Sequence, residues 1–342
     1  MKVVGSAASA CALSQTSCFS PGYTNQQLPD KVAGMPRRVL GRTGATISIV
    51  GFPGLALVHD EYDQERCTQA LHDAFARGVN YFDVAPAYGK GKCETRMGIG
   101  LQGLDRSKYF LACKTKMRDK EGARRELETS LKLLKTDYFD LYQMHHFRSA
   151  EEVKTALGPG GALETFLKAK EEGLIKHIGF SAHTTRSALE AMKGFRFDTV
   201  MFPINFVELY NLGFGKAVLD LANEQGAAVL AIKPLSYGGW PQGATRTRKW
   251  WYRCVETPRE VDLALRFTLS RKGVVAAIPA SWLDLLDKTI EAAKNYRPAT
   301  EAELEKLKQM AAGCPSLFEA DDKKYAQAGL HHIDNYGSEY YA

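Results

Sequence analysis

Three observations predict a closed barrel of eight parallel strands in which a helix follows each strand, a (β/α)8 fold of the α/β class. Eight short apolar runs alternate with amphipathic stretches between residues 47 and 279. Three runs end in Asp83, Lys114 and His145, at equal steps of 31 residues, the length of one strand–helix–strand unit. The 342 residues suffice for one such domain with extensions, because these barrels use about 250 residues.

The elements follow one another along the chain without a break. The first strand is predicted within the run from Ile47 to Leu57, and the second surrounds Asp83. The other six strands are predicted at residues 109–114, 139–145, 175–181, 199–205, 228–234 and 274–279. Periodic apolar residues predict helices at residues 65–77, 92–101, 121–134 and 161–172. Eight unbroken alternations favour a closed TIM barrel over an open sheet.

Composition disfavours several classes of protein. The chain is 45% hydrophobic and 25% charged, as ordinary globular proteins are, and its net charge of +6 is too small and dispersed for a nucleic-acid-binding protein. Its seven cysteines form no Cys-x-x-Cys pair, and their odd number argues against a complete disulfide framework. No stretch predicts a membrane span. We therefore expect no nucleic-acid partner, no membrane span, reduced thiols and no bound metal.

The two ends of the chain differ from the barrel in composition. Residues 1–34 hold a small apolar stretch and a linker rich in Ser, Gln, Pro and Gly. They predict either a disordered tail on a cytoplasmic protein or the remnant of a signal peptide that directs export. Residues 35–312 form the predicted barrel domain, and residues 313–342 form a C-terminal extension rich in Tyr and His.

Four polar residues predict proton chemistry at one end of the barrel. Asp83, Lys114 and His145 end neighbouring parallel strands, which lie about 4.8 Å apart, and Tyr88 follows shortly after Asp83. An ammonium beside a phenol lowers the pKa of the phenol, and a carboxylate keeps the ammonium charged. A histidine can donate a hydrogen bond to a carbonyl oxygen that gains negative charge. Strand alternation predicts that His146 points away from this site.

Four short motifs occur where these strands end. They are Asn-Tyr-Phe-Asp-Val-Ala-Pro-Ala-Tyr-Gly at residues 80–89, Lys114, Asp-Leu-Tyr-Gln-Met-His at residues 140–145 and Ile-Gly-Phe-Ser at residues 178–181. Together they resemble the aldo-keto reductases over residues 37–310. The resemblance implies an NAD(P)H-dependent reductase of an aldehyde, ketone or sugar carbonyl. It implies Tyr88 as general acid, tuned by Lys114 and Asp83. It also implies that His145 orients the carbonyl.

The resemblance implies a nicotinamide cofactor, with departures from the family pattern around it. Ser181 matches the serine that holds the nicotinamide amide, whereas Ala182 replaces an asparagine and Met201 stands where glutamine is common. No basic residue follows Pro279 to grip the 2′-phosphate of NADP. NADP(H) is the first candidate cofactor and NAD(H) is the second. The implied cofactor-binding residues are Ser181, Ala182, Met201, Lys233, Pro234, Leu235 and Ser281.

A loop after the seventh predicted strand combines cations with aromatic residues. It covers residues 238–253 and holds four Arg or Lys side chains and four Trp or Tyr side chains. Such a loop is expected to bind a phosphate, to cover an anionic substrate or to form an ordinary surface. Any preference for NADP is predicted to reside here. The candidates for substrate or phosphate contacts are Arg246, Arg248, Trp250 and Trp251.

Three other activities stay open. A Schiff-base lyase on the same barrel would use Lys114 or Lys233 as an uncharged amine. A metal-dependent hydrolase would need converging ligands, and the predicted opposite orientation of His145 and His146 disfavours it. A cofactor-binding sensor subunit with little turnover is favoured by the departures from the family pattern. The expected partner is a small carbonyl compound, and the sequence names neither that compound nor the oligomeric state.

Overall fold

A small antiparallel sheet precedes the barrel in the computed structural model, which describes residues 31–327. Its strands are β1 (Lys31–Val32), β2 (Met35–Val39) and β3 (Thr46–Ser48). The turn between β1 and β2 has positive φ angles at Ala33 and Gly34, 50° and 81°. Strand pairing thus begins at Lys31, inside the predicted N-terminal segment. The signal or tail prediction for residues 1–30 lies outside the described residues.

Eight parallel strands then follow in the order of the chain, and each pairs with its neighbours in sequence. They are β4 (Gly51–Pro53), β5 (Tyr81–Asp83), β6 (Phe110–Thr115), β7 (Phe139–Phe147), β8 (Ile175–Ala182), β9 (Thr199–Pro203), β10 (Ala228–Ile232) and β11 (Val274–Ile278). The sheet closes where Val50 forms a parallel bridge with Ala277, whose amide donates to the Ile49 carbonyl at 2.9 Å. The predicted (β/α)8 barrel is confirmed.

The first predicted strand is wrong as a single element. The run from Ile47 to Leu57 contains the end of β3, all of β4 and most of a 3-10 helix at Gly54–Val58. Gly54 passes so close to β5 that a Cβ atom there would lie 2.2 Å from the Asp83 carbonyl oxygen. The chain turns against the end of β5 at this glycine, which a residue with a side chain could not do without moving the strand.

Helices alternate with the strands. They are α1 (Gln64–Ala76), α2 (Lys92–Gly100), α3 (Lys120–Leu134), α4 (Ala150–Leu157), α5 (Ala162–Glu171), α6 (Thr185–Gly194), α7 (Phe206–Leu212), α8 (Lys216–Gln225), α9 (Pro258–Leu269), α10 (Leu283–Lys294), α11 (Glu301–Ala311) and α12 (Glu319–Gln327). The four predicted helices agree with α1, α2, α3 and α5 to within one residue. Helix α4 was missed, although Ser149 supplies a cap by accepting from the Glu152 amide at 3.2 Å. Within the described residues, no helix has the length and apolarity to cross a bilayer.

Apolar side chains fill the barrel where its strands begin. Tyr81 and Phe110 start β5 and β6, and their rings stack with centroids 5.7 Å apart. Leu40, which directly follows β2, and Ile47 of β3 belong to the same buried cluster. The N-terminal end of the barrel is therefore closed by packing, and polar groups are left to the end where the strands finish.

Candidate active site

Lys114 is the centre of a buried hydrogen-bond network at the C-terminal ends of the strands. It lies in β6, its side chain has no exposed surface, and its Nζ forms an ion pair with Asp83 at the end of β5. Nζ also donates to the Val84 carbonyl at 3.2 Å and lies 3.1 Å from the Tyr88 hydroxyl oxygen. The structure therefore brings together the carboxylate, the ammonium and the phenol that the sequence singled out.

Asp83 accepts hydrogen bonds from further side chains on the same strands. The Tyr81 hydroxyl donates to its Oδ2 at 3.2 Å, and the Gln143 amide nitrogen donates to the same oxygen at 3.4 Å. Burial raises the pKa of Asp83, while Lys114 and these donors oppose the rise. Because a buried charge needs close partners to offset its lost hydration, this network orients the carboxylate toward Lys114.

Tyr88 lies in the loop after β5, where its amide donates to the Ala85 carbonyl at 3.0 Å. Burial raises the pKa of its phenol well above the ordinary value of 10.0, and the negative charge of Asp83 adds to this rise. The expectation of a lowered net pKa for Tyr88 is therefore wrong. The loss of water around the hydroxyl outweighs the ammonium 3.1 Å away, so the phenol is protonated at neutral pH.

His145 lies in β7 and faces Tyr88. Their ring centroids are 5.6 Å apart and their planes meet at 85°. Burial, together with the charge of Lys114, holds the pKa of His145 well below its usual 6.5, so the imidazole is neutral and carries one N–H donor. Its Nδ1 has no hydrogen-bond partner among the described residues. The ring therefore keeps hydrogen-bonding capacity for a ligand.

His146 does not point away from the site, contrary to the prediction from strand alternation. Its φ angle is +63°, and the register of β7 with β8 shifts between Met144 and Phe147. Its ring lies 6.1 Å from the ring of His145 and 4.2 Å from that of His183. A left-handed residue interrupts the period of two, so consecutive side chains reach the same end of the barrel.

Comparison with known proteins shows which family the chain belongs to. The sequence profile described as Aldo/keto reductase family matches residues 49–250. The chain belongs to this family. L-galactose dehydrogenase of Arabidopsis thaliana is 34% identical over 157 residues, which are 42% of this chain and 47% of that protein. The chain thus spans about half the length of this relative.

Two further comparisons cover most of this aldo/keto reductase. The uncharacterized oxidoreductase YqkF of Bacillus subtilis (strain 168) is 25% identical over 307 residues, 80% of this chain and 95% of that protein. The holo form of aldo-keto reductase AKR11C1 from Bacillus halodurans shares the fold with a TM-score of 0.67 and 23% identity, over 84% of this chain and 99% of that one.

Ser181 is a predicted cofactor residue, and its side chain contacts β7, the strand that carries His145 and His146. It lies in β8, and its Oγ accepts from the His146 amide at 2.7 Å, which leaves the hydroxyl hydrogen available for a carboxamide oxygen. Ala182 and Met201 are buried apolar side chains, 0% and 2% exposed. In this aldo/keto reductase Ser181 therefore fits a nicotinamide amide, but the second polar partner expected from the resemblance is missing.

The other predicted cofactor residues lie just beyond β10 and β11. Lys233 directly follows β10 and has a φ angle of +56°. Pro234 and Leu235 come next, and both are buried. Ser281 follows β11, and its carbonyl oxygen lies 2.7 Å from His59 Nε2. These positions are at the same end of the barrel as Lys114, which is where the family fold places a ligand.

The cationic loop reaches the end of β11, but two of its four cations already have partners. The Arg248 guanidinium binds Glu256 and Asp284 and lies over the Trp282 ring at 5.2 Å. The Arg253 guanidinium donates to the Tyr237 carbonyl at 3.1 Å. Arg246 and Lys249 are exposed. The charge that a phosphate could recruit therefore comes from these last two residues.

The two tryptophans of the loop have different surroundings. Trp250 is 9% exposed and belongs to a buried apolar cluster, and its carbonyl accepts from Trp240 Nε1 at 2.8 Å. Trp251 instead faces Phe318 of the C-terminal extension, with ring centroids 6.4 Å apart. The structure thus gives Trp250 a packing role and places Trp251 beside the mouth of the barrel.

The described part of the C-terminal extension is fixed to the barrel by Glu208. This buried carboxylate accepts from the Ser316 hydroxyl at 2.5 Å and from the Leu317 amide at 2.7 Å. The next residue, Phe318, has its ring 5.7 Å from that of His183. The extension therefore lies against the histidines at the mouth, a contact between distant segments that no local sequence signal predicts.

The histidines and cysteines of the described region show no metal-binding arrangement. Within residues 31–327, no group of three or more His, Cys, Asp or Glu side chains could hold a metal ion. The five cysteines in this region are free thiols.

Proposed function

We propose that the protein is an NAD(P)H-dependent reductase that converts an aldehyde or ketone, such as a sugar carbonyl, to an alcohol. One observation carries this proposal. The Nζ atom of Lys114 contacts both Asp83 and the Tyr88 hydroxyl, and the His145 ring lies beside Tyr88. A protonated phenol, a fixed cation and a neutral imidazole in one pocket suit protonation of a carbonyl oxygen as it gains negative charge.

Each side chain has a separate role in the proposed reaction. The substrate carbonyl oxygen accepts from a neutral His145 N–H and from the Tyr88 hydroxyl. A nicotinamide held by the residues named below would, when bound, supply a hydride for the carbonyl carbon. Tyr88 gives its proton to the oxygen, and Lys114 stabilises the phenolate that remains. Asp83 keeps Lys114 charged and oriented, and the proton on Tyr88 is restored from solvent.

The raised pKa of Tyr88 defines what Lys114 has to do. Because the pKa of the phenol is raised, Tyr88 carries the proton that it donates when the reaction begins at neutral pH. The difficulty is the phenolate left after transfer, which burial disfavours. An ammonium 3.1 Å from the oxygen offsets that charge at the moment it forms. Lys114 therefore acts on the product side of the proton transfer rather than by making the resting phenol more acidic.

We place the cofactor along the ends of β8, β9, β10 and β11. The proposed contacts are Ser181, Ala182, Met201, Pro234, Leu235 and Ser281, whereas the Lys233 side chain, which contacts His183, is treated separately below. NADP(H) is the preferred choice, because the exposed cations Arg246 and Lys249 lie on the loop that reaches the end of β11. NAD(H) is the second choice, since Arg248, a third cation of this loop, is already paired with Glu256 and Asp284.

The experiment that tests the proposal follows the transferred hydride. The purified full chain is titrated with NADPH and NADH, and is then incubated with cofactor deuterated at nicotinamide C4 and a panel of aldehydes, ketones and sugars. The expected result is deuterium on the carbinol carbon of at least one product. Tight cofactor binding without any labelled alcohol would instead support the sensor-subunit hypothesis.

One observation favours a second candidate, a Schiff-base lyase. Burial lowers the pKa of Lys233 to about 7, so part of its amine is uncharged at neutral pH. Lys114 is the weaker candidate, because its ion pair with Asp83 favours the ammonium. Borohydride trapping of a substrate adduct on Lys233, with no requirement for a nicotinamide, would support the lyase against the reductase.

A further inference from the structure

A second group of polar side chains lies at the mouth and takes no part in the proposed proton transfer. Lys233 Nζ lies 3.4 Å from His183 Nε2. The ring centroids of Trp251 and Phe318 each lie 5.5 Å from the same nitrogen. The ammonium is thus bounded by two aromatic rings and an imidazole from three separate parts of the chain. The left-handed backbone at Lys233, with φ of +56°, is an unusual conformation for a residue with a long side chain.

The described residues supply no carboxylate partner for this ammonium. The Lys233 contacts within residues 31–327 are His183 and the two rings. Glu208 influences Lys233 from a greater distance, but its oxygens accept from Ser316 and Leu317. Burial lowers the pKa of Lys233 to about 7, and the negative charge of Glu208 opposes this shift only in part. A ligand anion would restore that missing partner.

The histidines beside Lys233 are arranged as donors for such an anion. Burial and the nearby Lys233 charge hold the pKa of His183 well below 6.5, so its ring is neutral. In the tautomer whose Nε2 accepts from the Lys233 ammonium, His183 carries its hydrogen on Nδ1, and Nδ1 can donate to an anion. His146 is likewise neutral, and Lys116, Arg148 and Lys233 contribute to lowering its pKa. The surroundings of these rings are therefore electropositive.

We propose that Lys233 and His183 bind an anionic group of the substrate, a carboxylate or a phosphate, while its carbonyl lies between Tyr88 and His145. This assignment rests on the proposed reductase function and adds a substrate class to it, the acidic aldehydes and ketones. The ring centroids of His145 and His146 lie 6.1 Å apart, and those of His146 and His183 lie 4.2 Å apart. These distances separate the proposed carbonyl position from the proposed anion position. The acid group is accordingly several carbon atoms from the carbonyl, as in a hexuronic acid or a sugar phosphate.

The test compares substrates that differ by one anionic group. D-glucuronate and D-glucuronamide share a carbon skeleton, and so do D-glucose 6-phosphate and D-glucose. The ratio of kcat/KM for the acid to that for the neutral partner is measured in each variant, because losses common to both substrates cancel. Lys233→Gln should reduce the ratio roughly 10- to 100-fold, the value of a hydrogen bond to a charged group. Lys233→Arg should keep most of it.

Controls separate the anion site from general effects of charge. Lys216→Gln removes an exposed lysine at the start of α8 and should leave the ratio unchanged. An unchanged ratio in Lys233→Gln, or wild-type ratios near one for both pairs, would overturn the proposal. A loss confined to NADPH or NADH affinity in Lys233→Gln would also overturn it, because the anion would then belong to the cofactor.

Calorimetric titration keeps this inference separate from the proposed function. D-glucuronate and D-glucuronamide are titrated into wild type and Lys233→Gln without turnover. If wild type binds D-glucuronate more strongly than D-glucuronamide and Lys233→Gln does not, the anion site is supported. If no carbonyl is reduced in addition, only the reductase proposal fails. Reduction of neutral carbonyls together with equal binding of both compounds would preserve the reductase and overturn the anion site.

Discussion

Tyr88 is protonated at rest because it is buried, and this state suits a general acid. Its hydroxyl lies 3.1 Å from Lys114 Nζ in a site where no other described phenol contacts that nitrogen. Tyr88→Phe should therefore leave the fold and cofactor affinity near normal and lower kcat by roughly 10²- to 10⁴-fold, the usual contribution of a general acid. Steady-state kinetics with the best carbonyl substrate measure this effect.

A matched control removes a hydroxyl elsewhere on the barrel. Tyr138 precedes β7, and its ring lies 4.0 Å from the Arg106 guanidinium, a contact that phenylalanine retains. Tyr138→Phe should keep wild-type turnover. Near-full activity in Tyr88→Phe would contradict the assignment of the proton donor.

Lys114 should affect the pH dependence of reduction as well as its rate. Without its ammonium, the phenolate left by proton transfer has no nearby cation, so Lys114→Met should lower kcat severely. The pKa of Tyr88 is already above 10.0, and loss of the cation raises it further. The alkaline fall in kcat, where the phenol loses its proton, should therefore shift to higher pH in the variant.

The control for Lys114→Met breaks an ion pair at the other end of the barrel. Lys176 pairs with Asp140 at 2.9 Å near the start of β8. Lys176→Met should keep the wild-type pH profile. Wild-type turnover and an unmoved alkaline limb in Lys114→Met would rule out the role assigned to this lysine.

Residue spacing predicted where the candidate catalytic residues lie but not the electrostatics around them. Asp83, Lys114 and His145 could be placed together because each unit of a parallel barrel returns the chain to the same end after a similar length. The pKa of Tyr88 depends on how much water the folded pocket excludes, which spacing does not report. Its predicted direction was accordingly wrong.

At the scale of elements, regular periods were predictable and local departures from them were not. The helices α1, α2, α3 and α5 follow their apolar periodicity to within a residue. The backbone of His146 is left-handed, which changes the direction of the side chains at the end of β7. Nothing in the alternation of residues 139–147 predicts this change. Lys233 and His183 meet because two strand ends and the C-terminal extension converge, which is a tertiary effect.

The loop after β10 provides a prediction about cofactor choice. Arg246 and Lys249 are exposed, whereas Arg248 and Arg253 hold the loop together through Glu256, Asp284 and Tyr237. An extra phosphate needs cations to offset its lost hydration. The double variant Arg246→Gln/Lys249→Gln should therefore weaken NADPH binding more than NADH binding, and the difference should shrink in high salt.

Direct titration of both nucleotides measures this preference. Arg248→Gln serves as a comparison, because it should loosen the loop and weaken the two nucleotides to a similar degree. Equal losses for NADPH and NADH in the double variant would assign the exposed cations to the pyrophosphate. No loss for either nucleotide would make this part of the loop an ordinary surface.

At the scale of the whole molecule, the mouth of the barrel holds charged groups that do not favour folding. Lys233 has no carboxylate partner within residues 31–327, and Lys114 and Asp83 are buried together. Functional sites commonly sacrifice stability in this way, since the groups are retained for what they bind. The apolar packing at the N-terminal end, around Tyr81 and Phe110, supplies stability where no ligand has to enter.

Lys233 should therefore give the protein a measurable pH-dependent stability. Its pKa is about 7 in the folded chain and about 10.4 in an unfolded one. Between these values the unfolded state binds more protons than the folded state, so the free energy of unfolding rises with pH. Below pH 7, Lys233 is protonated in both the folded and the unfolded chain, so its full destabilising effect on the folded protein is present. Relative to Lys233→Met, the wild type should be least stable near pH 6.5 and should gain stability up to about pH 10.

Urea unfolding of both proteins at pH 6.5, 7.5, 8.5 and 9.5 measures this difference. Most other titrating groups cancel between wild type and variant, and His183 stays out of the range because burial holds its pKa well below 6.5. Lys216→Met, which changes an exposed lysine, should show a difference from wild type that is flat with pH. A flat difference for Lys233→Met as well would mean that Lys233 keeps its proton in the folded protein. Addition of D-glucuronate should raise the stability of wild type at pH 6.5 but not that of Lys233→Met, because a bound anion supplies the counter-ion that the folded barrel lacks.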